Sequence, residues 1–126
     1  MTKKIAILGS TGSIGKNLLE IINKDNKNFK IYLLSANKNY LSLYNQAKKF
    51  KVRNLIITDK KSYISLKKIT NKTNIRVFNN FDDFDKIFKT KIDYTMSAIT
   101  GIDGLIPTIN IIKFTKNIAI ANKEAI

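Results

Sequence analysis

Lys4-Ile5-Ala6-Ile7-Leu8-Gly9-Ser10-Thr11-Gly12-Ser13-Ile14-Gly15 is the stretch on which the reading of this chain turns. Lys4–Leu8 is a short apolar run stopped by a glycine, the pattern of a strand buried on both faces. Residues 13–24 then place Ile14, Leu18, Ile21 and Ile22 on one helical stripe. Between strand and helix lies G-x-x-G-x-x-G. Glycine suits a tight turn with unusual dihedrals and a close backbone approach to a ligand. A helix opening there offers unpaired N–H groups and the positive end of its dipole to a pyrophosphate. Thr11 and Ser13 add hydroxyls, and Gly15 lets the helix sit close on the strand. A glycine pattern alone is weak. At the head of a βαβ unit it points to dinucleotide binding, with a purely structural turn as the alternative.

Outward from this stretch, apolar runs alternate with amphipathic ones. Strands are expected at Lys30–Ala36, Asn54–Thr58, Ile75–Phe78, Asp93–Ala98 and Asn117–Ala121. Between them, Tyr40–Phe50 reads as a helix with Leu43, Ala47 and Phe50 on one face. Asp59 is placed to cap a helix running to about residue 70. Phe81, Phe84 and Phe88 have the spacing of a short helix, and core packing explains them better than a stacking platform. Gly101–Phe114 reads as an apolar helix, with Pro107 tolerable only near its first turn. Strand and helix thus alternate through the whole chain, with no linker, repeat or low-complexity tract. That is the pattern of an α/β, Rossmann-like, doubly wound parallel sheet with helices on both faces. Ligands bind such sheets at the carboxyl ends of the strands, so the loops after the first, second, fifth and sixth are the ones to examine.

Composition narrows the chemistry. The chain has 126 residues and no Cys, His or Trp. Disulfides, thiolate catalysis, the usual zinc sites and His-based triads are therefore excluded. Pure aliphatic runs reach only four residues, far short of a membrane span or a signal-peptide core. A cytoplasmic chain with no membrane partner is the expectation. The formal charge is +14, but 21 of the 23 basic residues are Lys. Lys, Ile and Asn fill 58 of 126 positions, the composition an AT-rich genome imposes on any protein. The Lys are dispersed, and readers of nucleic acid favour Arg. A solvated Lys-rich surface explains the charge better than a nucleic-acid site.

The end of the second strand bears on which dinucleotide is bound. An acid there would take the ribose hydroxyls of NAD; instead the sequence has Ala36-Asn37-Lys38-Asn39. A Lys can pair with the 2′-phosphate of NADP. Asn37 is a candidate for a left-handed turn position. Two Y-x-x-x-K pairs, Tyr44/Lys48 and Tyr63/Lys67, have the spacing of a short-chain dehydrogenase catalytic pair. Both fall on outer helices before the fourth strand, too early for that family, and are read as chance in a Lys-rich chain.

The sixth strand delivers Asn122, Lys123 and Glu124 to its carboxyl end. This A-N-K-E turn (residues 121–124) and the opening A-I-L-G-S-T-G-S-I-G (6–15) closely resemble the 1-deoxy-D-xylulose 5-phosphate reductoisomerase family. Ala36-Asn37-Lys38-Asn39 resembles its second-strand loop, although many members have Gly where Asn37 stands. Gly101-Ile102-Asp103-Gly104-Leu105-Ile106-Pro107-Thr108 resembles its G-x-x-G-L-x-P-T segment. The resemblance runs through the whole chain in order.

It implies an NADPH-dependent enzyme of the non-mevalonate isoprenoid pathway that also needs a divalent metal: magnesium, manganese or cobalt. Such enzymes rearrange 1-deoxy-D-xylulose 5-phosphate and reduce the aldehyde to 2-C-methyl-D-erythritol 4-phosphate. By that resemblance Thr11, Gly12, Ser13 and Ile14 bind NADPH. Asn37, Lys38 and Asn39 hold its adenosine-phosphate end. Asn122 and Glu124 lie beside the cofactor, and Lys123 contacts the sugar phosphate. Family members are much longer and are expected to be homodimers. Their metal is held by acids in a D-S-E motif beyond the N-K-E turn. Residues 1–126 are therefore expected to be the cofactor domain, without metal ligands or catalytic residues and inactive alone. The Asp82-Asp83-Asp85 cluster reads as a solvated face. The competing readings are the cofactor domain of a homoserine or semialdehyde dehydrogenase-like enzyme, and a basic nucleic-acid-binding module.

Overall fold

A computed structural model describes residues 2–121. Strands and helices alternate as β1 (Lys3–Leu8), α1 (Ser13–Asn23), β2 (Phe29–Ala36), α2 (Tyr40–Phe50), β3 (Asn54–Ile57) and α3 (Lys60–Ile69). They continue as β4 (Arg76–Phe78), α4 (Phe84–Ile87), β5 (Ile92–Ser97), α5 (Leu105–Ile111) and β6 (Thr115–Ile120). The strands form one sheet in the order β4-β3-β2-β1-β5-β6, every pairing parallel. The chain steps outward from β1 to β4, then crosses back to lay β5 on the other side of β1. Right-handed crossovers then put α1, α2 and α3 on one face and α4 and α5 on the other. The wound sheet expected from the alternation is thus present.

Alternation along β1 shows both faces being filled. Ile5 and Ile7 join Leu19 and Ile22 of α1, Leu43 of α2 and Leu66 of α3 in one cluster. Ala6 and Leu8 point the other way, into a cluster with Phe84, Ile87, Phe88 and Ile111. Successive strand residues alternate sides, so a strand covered twice must be apolar throughout. The three spaced phenylalanines belong to that second core. The Phe84 ring lies 6.1 Å from Phe81, 6.0 Å from Phe88 and 6.1 Å from Phe114.

Two expectations are corrected. The helix expected over Gly101–Phe114 is three pieces: a 3₁₀ turn at Gly101–Gly104, α5, and a second 3₁₀ turn at Ile112–Phe114. Pro107 accounts for the first break. In an α-helix begun at Gly101 its ring would meet the carbonyl of Asp103. Starting α5 at Leu105 puts Pro107 in the first turn, where its missing N–H costs nothing. Asn37 is not left-handed. Among the described residues the one non-glycine at positive φ is Lys51 (57°), which closes α2 with its N–H on the Ala47 carbonyl.

Candidate functional site

The phosphate-loop candidate sits where the winding of the sheet reverses. β1 ends between β2 and β5, whose crossovers leave on opposite faces, so a crevice opens beyond their carboxyl ends. It measures about 560 Å³. Gly9, Thr11, Gly12, Asn37, Ala98 and Thr100 line its floor and mouth, and Ile106, Pro107 and Asn110 of α5 form one wall. A second cavity of about 840 Å³, lined by Lys30, Tyr44, Lys48, Lys51 and Arg53, opens beside residues at the amino-terminal ends of β2 and β3. It is remote from every loop of the glycine motif.

Gly9 leaves β1 at φ +80°, and a Cβ there would lie 2.9 Å from the Ala98 backbone. No L side chain takes that dihedral cheaply, so the turn requires glycine. Gly15 is needed for contact instead. A Cβ on it would run into the Gly9 carbonyl oxygen and come within 2.6 Å of Ser10 Cα. That closeness lays the first turn of α1 directly on the loop. Gly12, extended at φ −77° and ψ 175°, is the N-cap, and no side chain caps this helix. Its first N–H groups and its dipole are presented toward the crevice mouth uncapped.

The loop is held from behind by groups that the sequence pattern did not reveal. Ser10 is fully buried. Its N–H donates to the Ser35 carbonyl at 2.8 Å, and Ser35 Oγ accepts from the Gly9 N–H at 2.9 Å. From α2, Gln46 reaches the same residue twice. Its Oε1 accepts from Ser10 Oγ at 2.7 Å, and its Nε2 donates to the Ser10 carbonyl at 3.0 Å. No motif marks Gln46; only the packing of α2 brings residues 10 and 46 together.

Thr11 is half-buried and lines the crevice with Gly12; Ser13 and Ile14 follow as the exposed first turn of α1. Asn37 lines it too, and its Oδ1 accepts from Thr58 Oγ1 at 2.8 Å. Lys38 is exposed beside it. Asn39 is the N-cap of α2, its Oδ1 accepting from the Ser42 N–H at 3.2 Å. Its Oδ1 is therefore engaged by the helix. Thr58, Asn79 and Asn80 bring the ends of β3 and β4 into the crevice, beyond the loops anticipated. Asn79 Nδ2 donates to the Ile57 carbonyl at 2.8 Å. Asn122, Lys123 and Glu124 lie outside the described residues.

No carboxylate follows β2, but Asp59 follows β3. The Ser62 side chain and backbone N–H both donate to it, which holds its carboxyl below the usual range, with Lys38 and Lys61 adding smaller contributions. Its negative charge is thus spent on capping α3, not aimed at the crevice. The Y-x-x-x-K pairs are side-chain stacks along one helix turn: Lys48 lies 4.7 Å from the Tyr44 ring centre and Lys67 5.9 Å from that of Tyr63. Among the described residues no three His, Cys, Asp or Glu side chains come together in a way that could hold a metal. None of the described helices is long and apolar enough to cross a membrane.

The crevice, its uncapped helix and its glycine turn can be compared with known proteins. The family model for 1-deoxy-D-xylulose 5-phosphate reductoisomerase matches residues 5–126. The reductoisomerase of Pelagibacter ubique is 60% identical over 126 residues, covering 98% of this chain and 32% of that protein. That of Phocaeicola vulgatus is 39% identical over 127 residues, covering all of this chain and 33% of that protein. Among solved structures, the Zymomonas mobilis reductoisomerase in complex with NADPH aligns with a TM-score of 0.88 at 30% identity, covering 99% of this chain and 33% of that one. A reductoisomerase in complex with NADPH, fosmidomycin and magnesium aligns with a TM-score of 0.87 at 26% identity, covering 98% and 31%. The chain spans about a third of the length of the relatives it matches. With the model matched from Ile5 to Ile126, the chain belongs to the 1-deoxy-D-xylulose 5-phosphate reductoisomerase family.

Proposed function

We propose that residues 1–126 form the NADPH-binding domain of a 1-deoxy-D-xylulose 5-phosphate reductoisomerase. The observation that carries this is the glycine turn at the winding reversal, with α1 uncapped and aimed into a crevice of about 560 Å³. The N–H groups of Ser13 and Ile14, with the Thr11 hydroxyl, meet the pyrophosphate. Gly12 lets it approach the backbone. Asn37, Lys38 and the backbone of Asn39 take the adenosine end, Lys38 pairing with the 2′-phosphate. Ile106 and Pro107 shield the far wall from water. Asn122 and Glu124 stand beside the nicotinamide, and Lys123 holds the phosphate of the sugar-phosphate substrate.

NADPH, when bound, supplies the hydride that reduces the rearranged aldehyde to 2-C-methyl-D-erythritol 4-phosphate. The described residues do not fit a resident divalent metal, because no cluster of acids converges on the crevice. Metal-dependent chemistry therefore belongs to the part of the relatives that this chain does not span. The complete enzyme acts as a cytoplasmic homodimer, and the 126 residues alone bind cofactor without turnover.

Calorimetric titration tests this. NADPH should bind with an affinity at least tenfold above NADH, and the chain should not consume 1-deoxy-D-xylulose 5-phosphate. Equal affinity for the two nucleotides would remove the assignment of Lys38. Metal-dependent turnover by the 126 residues would refute the division of labour.

A further inference from the structure

The outer side of the segment from Ile102 to Ile112 breaks the rule the rest of this surface follows. Ile102 is 77% exposed, Ile106 62%, Ile109 52%, Ile112 52% and Leu105 41%. Their spacing of three to four residues sets them in one stripe along the 3₁₀ turn and α5. The buried side of the same helix, Thr108 and Ile111, is already used against the sheet. Elsewhere on the helices, strongly exposed apolar side chains stand singly, as Ile21 does on α1 and Leu41 on α2, or are framed by lysines, as Lys60, Lys61, Lys67 and Lys68 surround Ile64 on α3. Residues 92–112 are the longest lysine-free run in a chain that is one-sixth lysine, and Asp103 is the one charge on the stripe. A composition that puts Lys almost everywhere on the surface has excluded it here. Contiguous apolar surface of this kind marks an interface.

The stripe is also continuous with the crevice. Ile106, Pro107 and Asn110 line the crevice wall while Ile102, Ile109 and Ile112 extend the same surface away from it. Whatever covers the stripe therefore borders the cofactor site. The relatives hold twice as much chain again beyond the third matched here. We infer that the outer stripe of α5 is the docking surface for the remaining two-thirds of a reductoisomerase, seated so that it walls the cofactor crevice. This rests on the family reading above. The stripe's apolar character without lysine calls for an equally apolar, uncharged face on that partner segment.

The absence of cysteine makes a clean test. Ile109→Cys and, as a control on α3, Ile64→Cys are made in the 126-residue chain and in a chimera. The chimera replaces the matched third of the Pelagibacter ubique enzyme with this chain. Thiol-labelling rates are read at the introduced residue by peptide mass spectrometry. The expected result is labelling of Ile109→Cys at least tenfold slower in the chimera, with Ile64→Cys unchanged within twofold. Equal rates at residue 109 in a chimera that binds NADPH overturn the proposal. So does slow labelling in the 126-residue chain that deepens with protein concentration, which would make a second copy the occupant. Should the chimera not fold, hydrogen exchange of the aligned segment in the intact Pelagibacter enzyme decides instead. Protection there at least tenfold above that of residues 102–112 in this chain supports the proposal, and equal protection overturns it. NADPH titration of the same samples reports separately on the cofactor assignment.

Discussion

Replacing Gln46 by Met removes both bonds to Ser10 at nearly constant side-chain length. Ser10 Oγ keeps only the long 3.3 Å contact to the Ser35 carbonyl. The Ser10 carbonyl loses its amide donor in a place where the residue has no solvent exposure. Two hydrogen bonds at roughly 1 kcal/mol each, one of them leaving a buried acceptor unpaired, put the cost at about 2 kcal/mol. The added apolar contact of Met returns little, because residue 46 is only half-buried. A domain of this length loses about 4 °C of Tm per kcal/mol, so Tm should fall by about 8 °C. Urea unfolding followed by circular dichroism measures the free energy directly. NADPH affinity should fall as well, since the bonds hold the loop that meets the pyrophosphate. A cycle with Ser10→Ala isolates the hydroxyl bond, with an expected coupling of about 1 kcal/mol. A Gln46→Met protein within 0.5 kcal/mol of the parent, with unchanged NADPH affinity, would refute the idea that α2 anchors the loop.

Four further outcomes are expected. Gly15→Ala gains about 1 kcal/mol of helix propensity but drives its methyl into the Gly9 and Ser10 backbone; overpacking of about 1–3 kcal/mol should win, lowering the urea midpoint and weakening NADPH binding together. Lys38→Ala should weaken NADPH about tenfold and leave NADH unchanged in parallel titrations, whereas Asn39→Ala should cost about 1 kcal/mol of stability through the lost α2 cap and little cofactor affinity. The carboxyls of Asp59 and Asp93 are held low, Asp59 by Ser62 and Asp93 chiefly by the Lys4 N–H. A lowered folded-state pKa gives stability that is complete above the unfolded value and lost as pH falls through the folded one. The urea midpoint should therefore hold at pH 6 and drop below about pH 4, and Asp59→Asn with Asp93→Asn should flatten that drop.

Much of this molecule is legible in the order of its residues. Short apolar runs such as residues 5–8 and 31–34, each too brief for a helix and bounded by polar or glycine positions, read as buried strands. The alternation with amphipathic stretches then leaves a parallel sheet as the consistent arrangement. Gly9 and Gly15 were readable for the same reason: each does something that a side chain forbids, and the structure shows a positive φ at one and backbone contact at the other. Local rules misjudged the segment after β5, where the clash of the Pro107 ring with the preceding turn splits the helix. Ser35 and Gln46 lie 25 and 36 residues from Ser10, so their grip on the loop exists only once β2 and α2 have packed beside it. Thr58 and Asn79 reach the crevice because β3 and β4 extend the sheet on that side. The apolar stripe on α5 shows the same division. Its residues are plain in the sequence, but which of them face the core and which face outward was settled by the packing of Thr108 and Ile111 on the sheet. Periodic patterns record which faces must be dry. Tertiary packing alone decides what those faces meet, because contacts between distant residues form only when the chain has closed its long loops.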